Sequence, residues 1–124
     1  MKNKNLVITS ILGAIAIVLG AFGAHALKEK LGVDALKSFE TGVRYQMYHV
    51  IVLLFVNTYA GFKSKTKNVI SMLFISGIVL FSGSIYAITI LDINPKSIWF
   101  ITPLGGVFFI IGWIKMTISF LKSS

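Results

Sequence analysis

Two long stretches without a formally charged residue constrain the fold of this chain more than any other feature. They cover residues 6–27 and 68–91. As an α-helix rising ~1.5 Å per residue, each is long enough to cross a hydrocarbon core ~30 Å thick. A lipid core offers the backbone no water to bond, so a segment that crosses it must satisfy its own N–H and C=O groups. The two stretches therefore predict membrane-spanning helices.

The composition agrees with a membrane protein. Hydrophobic residues make up 56% of the 124-residue chain and charged residues only 13%, whereas a soluble domain carries about 25% charged residues. The net charge of +8 comes from basic residues in short clusters between apolar stretches. Because such clusters are typical of topology signals and of contact with anionic headgroups, we predict the lipid bilayer as a partner, and not nucleic acid. The absence of cysteine excludes disulfides and thiolate chemistry.

We predict a single integral membrane domain over residues 1–124, folded as an all-α bundle of four transmembrane helices. The expected spans are approximately residues 6–27, 45–62, 68–91 and 98–118. The fourth helix has two candidate starts, Ser97 and Thr102, and with the later start Lys115 lies deep enough that its ammonium must snorkel to the surface. Residues 24–26 resemble a signal-peptide cleavage site, but the first stretch is longer than the apolar region of a typical signal peptide.

Residues 28–44 form an amphipathic segment between the first two helices. Their apolar and charged residues fall on opposite sides at helical spacing, which predicts a helix that lies in the interface or extends the second span outward. Glu40 and Arg44 are one turn apart and are expected to pair. Gly42 is expected to bend the chain where it enters the membrane.

The distribution of charge predicts that both termini are cytoplasmic. Four spans place the two termini and the loop at residues 63–67 on one side, and that side carries basic residues without any of the four acids. The basic residues there are Lys2, Lys4, Lys63, Lys65, Lys67, Lys115 and Lys122. This excess follows the positive-inside rule.

A group of polar residues near the outer ends of the first two spans is the candidate site. Its members are His25, Glu40, Arg44, Tyr45, Gln46 and His49. If the first two helices are antiparallel neighbours, both histidines would lie near one interface. Because an unpaired polar group is costly in a membrane, we favour a structural network that locks these helices and the outer loop together. Replacing Arg44 is then expected to destabilise the hairpin.

Other interpretations of this group stay open. It could bind an amphiphile in a cavity lined by Arg44, Tyr45 and His49. His25, His49 and Glu40 could hold zinc or iron, or the two histidines haem, but no motif spacing supports either. We therefore predict no metal and no cofactor. The spans carry no carboxylate for proton coupling, and no serine has a nucleophile-elbow context, so we predict that the protein is not an enzyme.

Small residues recur along the first, third and fourth predicted spans. Such residues let helix backbones approach closely inside a membrane, where no hydrophobic force drives helices together. The predicted packing positions are Gly13, Gly20, Gly23, Gly83, Gly105 and Gly112.

Four strings, in order along nearly the whole chain, carry a family resemblance. They are GAFGAHAL at 20–27, FETGVRYQMYH at 39–49, LFSGSIY at 80–86 and ITPLGG at 101–106. Together they resemble the YgdD/YwdK-like family of small bacterial inner-membrane proteins, a domain-of-unknown-function family with eukaryotic transmembrane relatives. The resemblance implies a multi-pass, four-helix protein of the bacterial plasma membrane, and it implies no reaction and no catalytic residues.

These observations predict a non-catalytic membrane protein. It would act through helix packing, through self-association as a homo-oligomer, or through a membrane-protein partner. The alternative is a carrier of a small molecule or lipid that binds an amphiphile at the outer polar group.

Overall fold

The computed structural model describes residues 3–123, and these residues form helices and short connections without a strand. We number five helices. They are α1 (Lys4–Lys30), α2 (Val33–Thr58), α3 (Ser64–Thr89), the single turn α4 (Pro95–Ile98) and α5 (Ile101–Ser123). A π-helical segment interrupts α1 at Gly23–Leu27 and another interrupts α3 at Ile78–Ser82. Lys2, one of the basic residues used to predict topology, lies outside the described residues.

Within residues 3–123, three helical segments are long and apolar enough to cross a membrane. They are Lys4–Lys30, Ser64–Thr89 and Pro95–Lys122. Helix α2 does not meet that combined criterion of length and apolarity: charged residues occupy its first half from Asp34 to Arg44, and the polar residues Gln46, His49 and Asn57 lie in its second half. The structure thus gives four long helices in an all-helical bundle, three of them with the composition of a span.

Helices α1 and α2 run antiparallel in close contact. A β-carbon on Gly13 would lie 3.2 Å from Val50, one on Gly20 would lie 3.5 Å from Val43, and one on Gly23 would meet the ring of Phe39 at 2.6 Å. The residue number falls along α2 as it rises along α1, so these contacts fix the register of the pair. Three of the predicted packing glycines therefore serve the α1–α2 contact within one chain.

Helix α2 also packs against α3, and it does so without a bend at Gly42. The helix is continuous from Val33 to Thr58, and Gly42 is buried where a β-carbon would come within 3.2 Å of Tyr86 and 3.3 Å of Ile85. Close approach to α3 accounts for this glycine, in place of the predicted turn into the membrane. Residues 33–44 therefore extend α2 outward, which was one of the two predicted arrangements of the amphipathic segment.

Helices α3 and α5 interlock by placing a phenylalanine of one over a glycine of the other. Phe74 lies over Gly112, and Phe109 lies over Gly77. At Gly105 the approach is closer still, because a β-carbon there would lie 2.3 Å from the backbone nitrogen of Phe81. Gly77 is one of the small residues that recur along the third predicted span.

Gly83 does not belong to the packing set. No atom outside its own helical turn lies within 4 Å of the position of its β-carbon. Its neighbours Ser82 and Ser84 are buried, and Gly77 is buried as well. The small-residue face predicted for α3 is therefore present, but Gly83 is not part of its contact with another helix.

The fourth long segment combines both predicted starts. Asn94 caps the turn α4 by accepting a hydrogen bond from the backbone N–H of Lys96, and Pro95 follows at its first position. Helix α5 then begins at Ile101 with Pro103 in its first turn. Lys115 consequently lies eight residues before the end of α5, roughly 12 Å along its axis.

Candidate functional site

Helix α2 turns one stripe of residues inward, and two members of the predicted polar group lie on it. The stripe repeats every three or four residues, as expected for the buried face of a helix. Its buried residues are Phe39, Gly42, Gln46, His49, Val50, Leu53 and Val56. The spacing that buries Phe39 and Leu53 therefore buries Gln46 and His49 as well.

Gln46 joins three helices. Its Nε2 donates to the carbonyl oxygen of Leu12 in α1 at 2.8 Å, and its Oε1 accepts from the Tyr86 hydroxyl in α3 at 2.6 Å. Four residues earlier on α2, the Gly42 carbonyl accepts from the Ser82 hydroxyl of α3 at 2.6 Å. Because both ends of the buried amide are bonded, Gln46 is a structural link between α1, α2 and α3.

His49 forms a second link, from α2 to α5. Its ring is 4% exposed and is stacked on Phe109, with ring centroids 3.7 Å apart and planes at 7°. Its Nδ1 bonds the Tyr45 carbonyl at 2.6 Å, and its Nε2 accepts from the indole N–H of Trp113 at 3.1 Å. A carbonyl only accepts and an indole N–H only donates. The two partners therefore require a neutral imidazole with its proton on Nδ1, and leave neither nitrogen open to a ligand.

A third polar cluster lies at the end of the bundle that holds the chain termini. We call it the asparagine cluster. Asn5 donates to Asn57 at 3.0 Å and to Asn68 at 2.9 Å, and Asn57 donates to Ser71 at 2.8 Å. Sequence reasoning missed this cluster. A signal for it was present, because each asparagine lies near the end of an apolar stretch, and four antiparallel spans place those ends on the same side.

The structure does not bring the other predicted residues into this arrangement. His25 is exposed near the C-terminal end of α1. Since Gly13 faces Val50 and Gly23 faces Phe39, His25 lies about 12 residues along the helix pair from the level of His49, roughly 18 Å. The expectation that the two histidines lie near one interface assumed that they lie at the same level along the helix pair. The register of α1 against α2 places them at different levels.

Glu40 and Arg44 are exposed and do not pair. Among the described residues no ion pair joins them, and the Arg44 guanidinium donates instead to the Thr41 hydroxyl at 3.2 Å. Tyr45 is 40% exposed and packs its ring on Phe81, with centroids 5.2 Å apart. Of the predicted group, Glu40, Arg44 and Tyr45 are thus exposed on the surface, whereas Gln46 and His49 belong to a hydrogen-bonded network in the core.

Replacing Arg44 with alanine is expected to leave folding nearly unchanged, contrary to the expectation from sequence. The side chain makes one exposed bond within its own helix, and surface changes of this kind usually shift stability by no more than ~0.5 kcal/mol. The melting temperature in detergent, compared with that of wild type, measures this. A large fall would restore Arg44 to the structural network.

An apolar groove runs beside Arg44 on the surface between α1 and α2. Its volume is about 460 Å³, and small residues of α1, Ala16, Gly20 and Ala21, line one wall opposite Met47 and Tyr48. Arg44 is its one charged lining residue. Tyr45 and His49, which the amphiphile hypothesis placed beside Arg44, do not line this groove. What the geometry offers is an apolar channel with a cation at one end.

Within residues 3–123, no group of three or more histidine and acidic side chains is placed to hold a metal ion.

The buried hydroxyl of Thr9 has no hydrogen-bond partner among the described residues. The remaining polar link between helices joins the hydroxyls of Ser84 and Thr102, from α3 to α5. The interior polar groups thus mostly bond one another.

Sequence comparison now identifies the family. The profile described as Protein of unknown function (DUF423) matches residues 19–106, from the outer half of α1 to the start of α5. The chain belongs to the DUF423 family. The resemblance drawn from the four strings is confirmed, because the relatives include YgdD and YwdK.

Curated relatives of this DUF423 protein match it over nearly their whole length. The UPF0382 membrane protein of Haemophilus influenzae is 40% identical over 99% of this chain and 98% of its own. UPF0382 membrane protein YwdK of Bacillus subtilis is 44% identical, over 90% of this chain and 94% of its own. UPF0382 inner membrane protein YgdD of Escherichia coli is 34% identical, over 94% and 88%. No solved structure matches the chain significantly.

Proposed function

We propose that this DUF423 protein is a non-catalytic, four-span protein of the bacterial plasma membrane that acts through contacts made within the bilayer. The observation that carries the proposal is that Gln46 and His49 each form hydrogen bonds with partners inside the bundle. The polar side chains of α2 that reach the core bond α1, α3 and α5, and their nitrogen and oxygen atoms are occupied. What the molecule presents to its surroundings is helix surface.

Helix α2 is the fourth span in this proposal, and both termini are cytoplasmic. Its 26 residues cover roughly 39 Å, it lies antiparallel to α1, and its second half carries no charge from Tyr45 to Thr58. The charged first half projects at the outer side. The basic loop between α2 and α3 then lies with the termini, in line with the positive-inside rule.

The lack of native cysteine makes this topology directly testable. Single cysteines are introduced at Gly32 and Lys96 on the proposed outer side and at Lys65 on the inner side, all exposed positions. A membrane-impermeant maleimide applied to intact cells is expected to label the first two, and Lys65→Cys only after permeabilisation. Labelling of both Gly32→Cys and Lys65→Cys in intact cells would show that α2 does not cross.

Contacts in the bilayer include contacts with a second copy of the chain. Counting photobleaching steps of a dye on Lys65→Cys in nanodiscs, at decreasing protein-to-lipid ratio, measures self-association. We expect complexes that persist on dilution. A chain that is always single would leave a different membrane protein, or a lipid, as the partner.

The groove beside Arg44 favours a second candidate function, the binding of an anionic amphiphile. Running inward from Arg44, the groove continues between Ala16 of α1 and Met47 of α2, so an acyl chain would follow it toward the membrane centre with its acidic group on the guanidinium. Since Arg44→Ala is expected to fold normally, that variant isolates binding. Loss of a co-purified anionic lipid in Arg44→Ala, with retention in Lys37→Ala, would support the carrier.

A further inference from the structure

Three lysines line one pocket at the end of the bundle that holds the termini. We call it the lysine pocket. It lies where the loop before α3 meets the last turns of α5, and its volume is about 190 Å³. Lys63, Lys115 and Lys122 line it together with the hydroxyl residues Thr66 and Ser119, and the buried ring of Phe62 is also in its wall. Basic and hydroxyl groups from three separate parts of the sequence thus meet at one small site.

No acidic side chain neutralises these lysines. The four acids of the chain are Glu29, Asp34, Glu40 and Asp92. They lie at the last turn of α1, in the first half of α2 and after α3, all toward the opposite end of the bundle. Since like charges that line one pocket repel each other, a bound anion would relieve a repulsion that the described chain itself leaves uncompensated.

Lys115 gives the pocket its depth. Because Gly112 lies under Phe74, the level of Lys115 on α5 corresponds to that of Ser71, seven residues into α3 and roughly 10 Å below its first turn. A lysine at such a depth extends its ammonium toward the membrane surface. Lys115 is partly buried and lines the same pocket as Lys63 and Lys122. The pocket therefore extends from the end of the bundle to the level of Lys115 on α5.

We propose that the lysine pocket binds the phosphate of an anionic phospholipid headgroup. Ammonium and hydroxyl groups are donors that suit phosphate oxygens, and basic pockets between spans bind acidic headgroups at the surface that carries the basic loops. The neighbouring helix surfaces are apolar enough for a membrane span, so acyl chains attached to that phosphate have a place to lie. The site shares no lining residue with the Arg44 groove and does not depend on it.

The test counts lipids bound to the full-length chain by native mass spectrometry in a neutral detergent. Phosphatidylglycerol is titrated against wild type and against the double variant Lys63→Gln/Lys122→Gln. Each lysine lost is expected to weaken binding about fivefold, so the double variant should bind at least tenfold more weakly. The matched control is Lys65→Gln/Lys67→Gln, which removes the same charge at the same end from residues that do not line the pocket; it should stay within twofold of wild type.

Further arms decide what the ligand is. Phosphatidylcholine should not compete, and millimolar inorganic phosphate should displace little phosphatidylglycerol. The variant Lys63→Arg/Lys122→Arg should restore binding and also shows that the site tolerates substitution. Equal weakening in both glutamine pairs would overturn the pocket in favour of general surface charge. Displacement by phosphate alone would overturn the lipid in favour of a soluble anion, and unchanged binding in the Lys63/Lys122 pair would overturn the site.

Discussion

Gly105→Ala is expected to lower the melting temperature of the purified protein by roughly 10 °C, corresponding to a loss of ~3 kcal/mol. The new methyl group would lie 2.3 Å from the backbone nitrogen of Phe81 and 2.7 Å from its α-carbon. Backbone atoms cannot rotate away as a side chain can, so α3 and α5 must separate. Separation would also loosen the contacts of Phe74 and Phe109 with the glycines beneath them.

Its control is the next residue. A β-carbon on Gly106 would meet no atom within 4 Å, so Gly106→Ala changes the same helix without touching a neighbour. Alanine is also the better helix former, and Gly106→Ala should match or slightly exceed wild-type stability. Equal melting temperatures for the two variants would contradict the close contact of α5 with α3.

His49→Leu is expected to destabilise the protein by about 2 kcal/mol, because it leaves the N–H group of the Trp113 indole without its acceptor. Leucine fills a similar volume, so the loss reports the hydrogen bonds more than the packing. Thermal unfolding followed by tryptophan fluorescence measures it. His25→Leu, at the exposed histidine, should change stability by no more than ~0.5 kcal/mol.

A double-mutant cycle tests the bond itself. In a Trp113→Phe background the unpaired donor is gone, so His49→Leu should cost less than it does in wild type. Strict additivity would show that the two side chains do not interact. A His49→Leu variant as stable as wild type would instead reopen this position to a role in binding.

The existence and approximate ends of α1, α3 and α5 followed from hydropathy, because the length of an uncharged stretch that crosses a bilayer is set by its thickness. The bounds of α2 did not, because that helix begins at Val33, well before the predicted span 45–62, and ends at Thr58. Gln46 and His49 were singled out for a similar reason, since buried polar groups at the edge of an apolar stretch must find partners. The family could likewise be recognised from four short stretches of sequence. All of these signals are local in the chain.

The hydrogen-bond partners of Gln46 and His49 could not be predicted in this way, because they come from distant parts of the chain. Tyr86 and Trp113 come from α3 and α5, and only the register of the helices decides which side chains meet Gln46 and His49. The prediction that His25 lies level with His49 was wrong for the same reason. The contacts of Gly13 and Gly23 set the register of α1 against α2, and hydropathy does not give that register. Gly83 makes no close contact although its neighbours Ser82 and Ser84 are buried, and hydropathy does not reveal such a difference between adjacent residues.

The polar stripe of α2 also bears on how the protein is made. In the proposed topology, a nascent chain that ends at the loop after α2 holds Gln46 and His49 before Tyr86 and Trp113 have been synthesised. At that stage Gln46 has the Leu12 carbonyl of α1 and His49 has the Tyr45 carbonyl of α2, but each lacks its second partner. We therefore expect the hydrogen bonds of α2 to be completed only after α3 and α5 have been inserted.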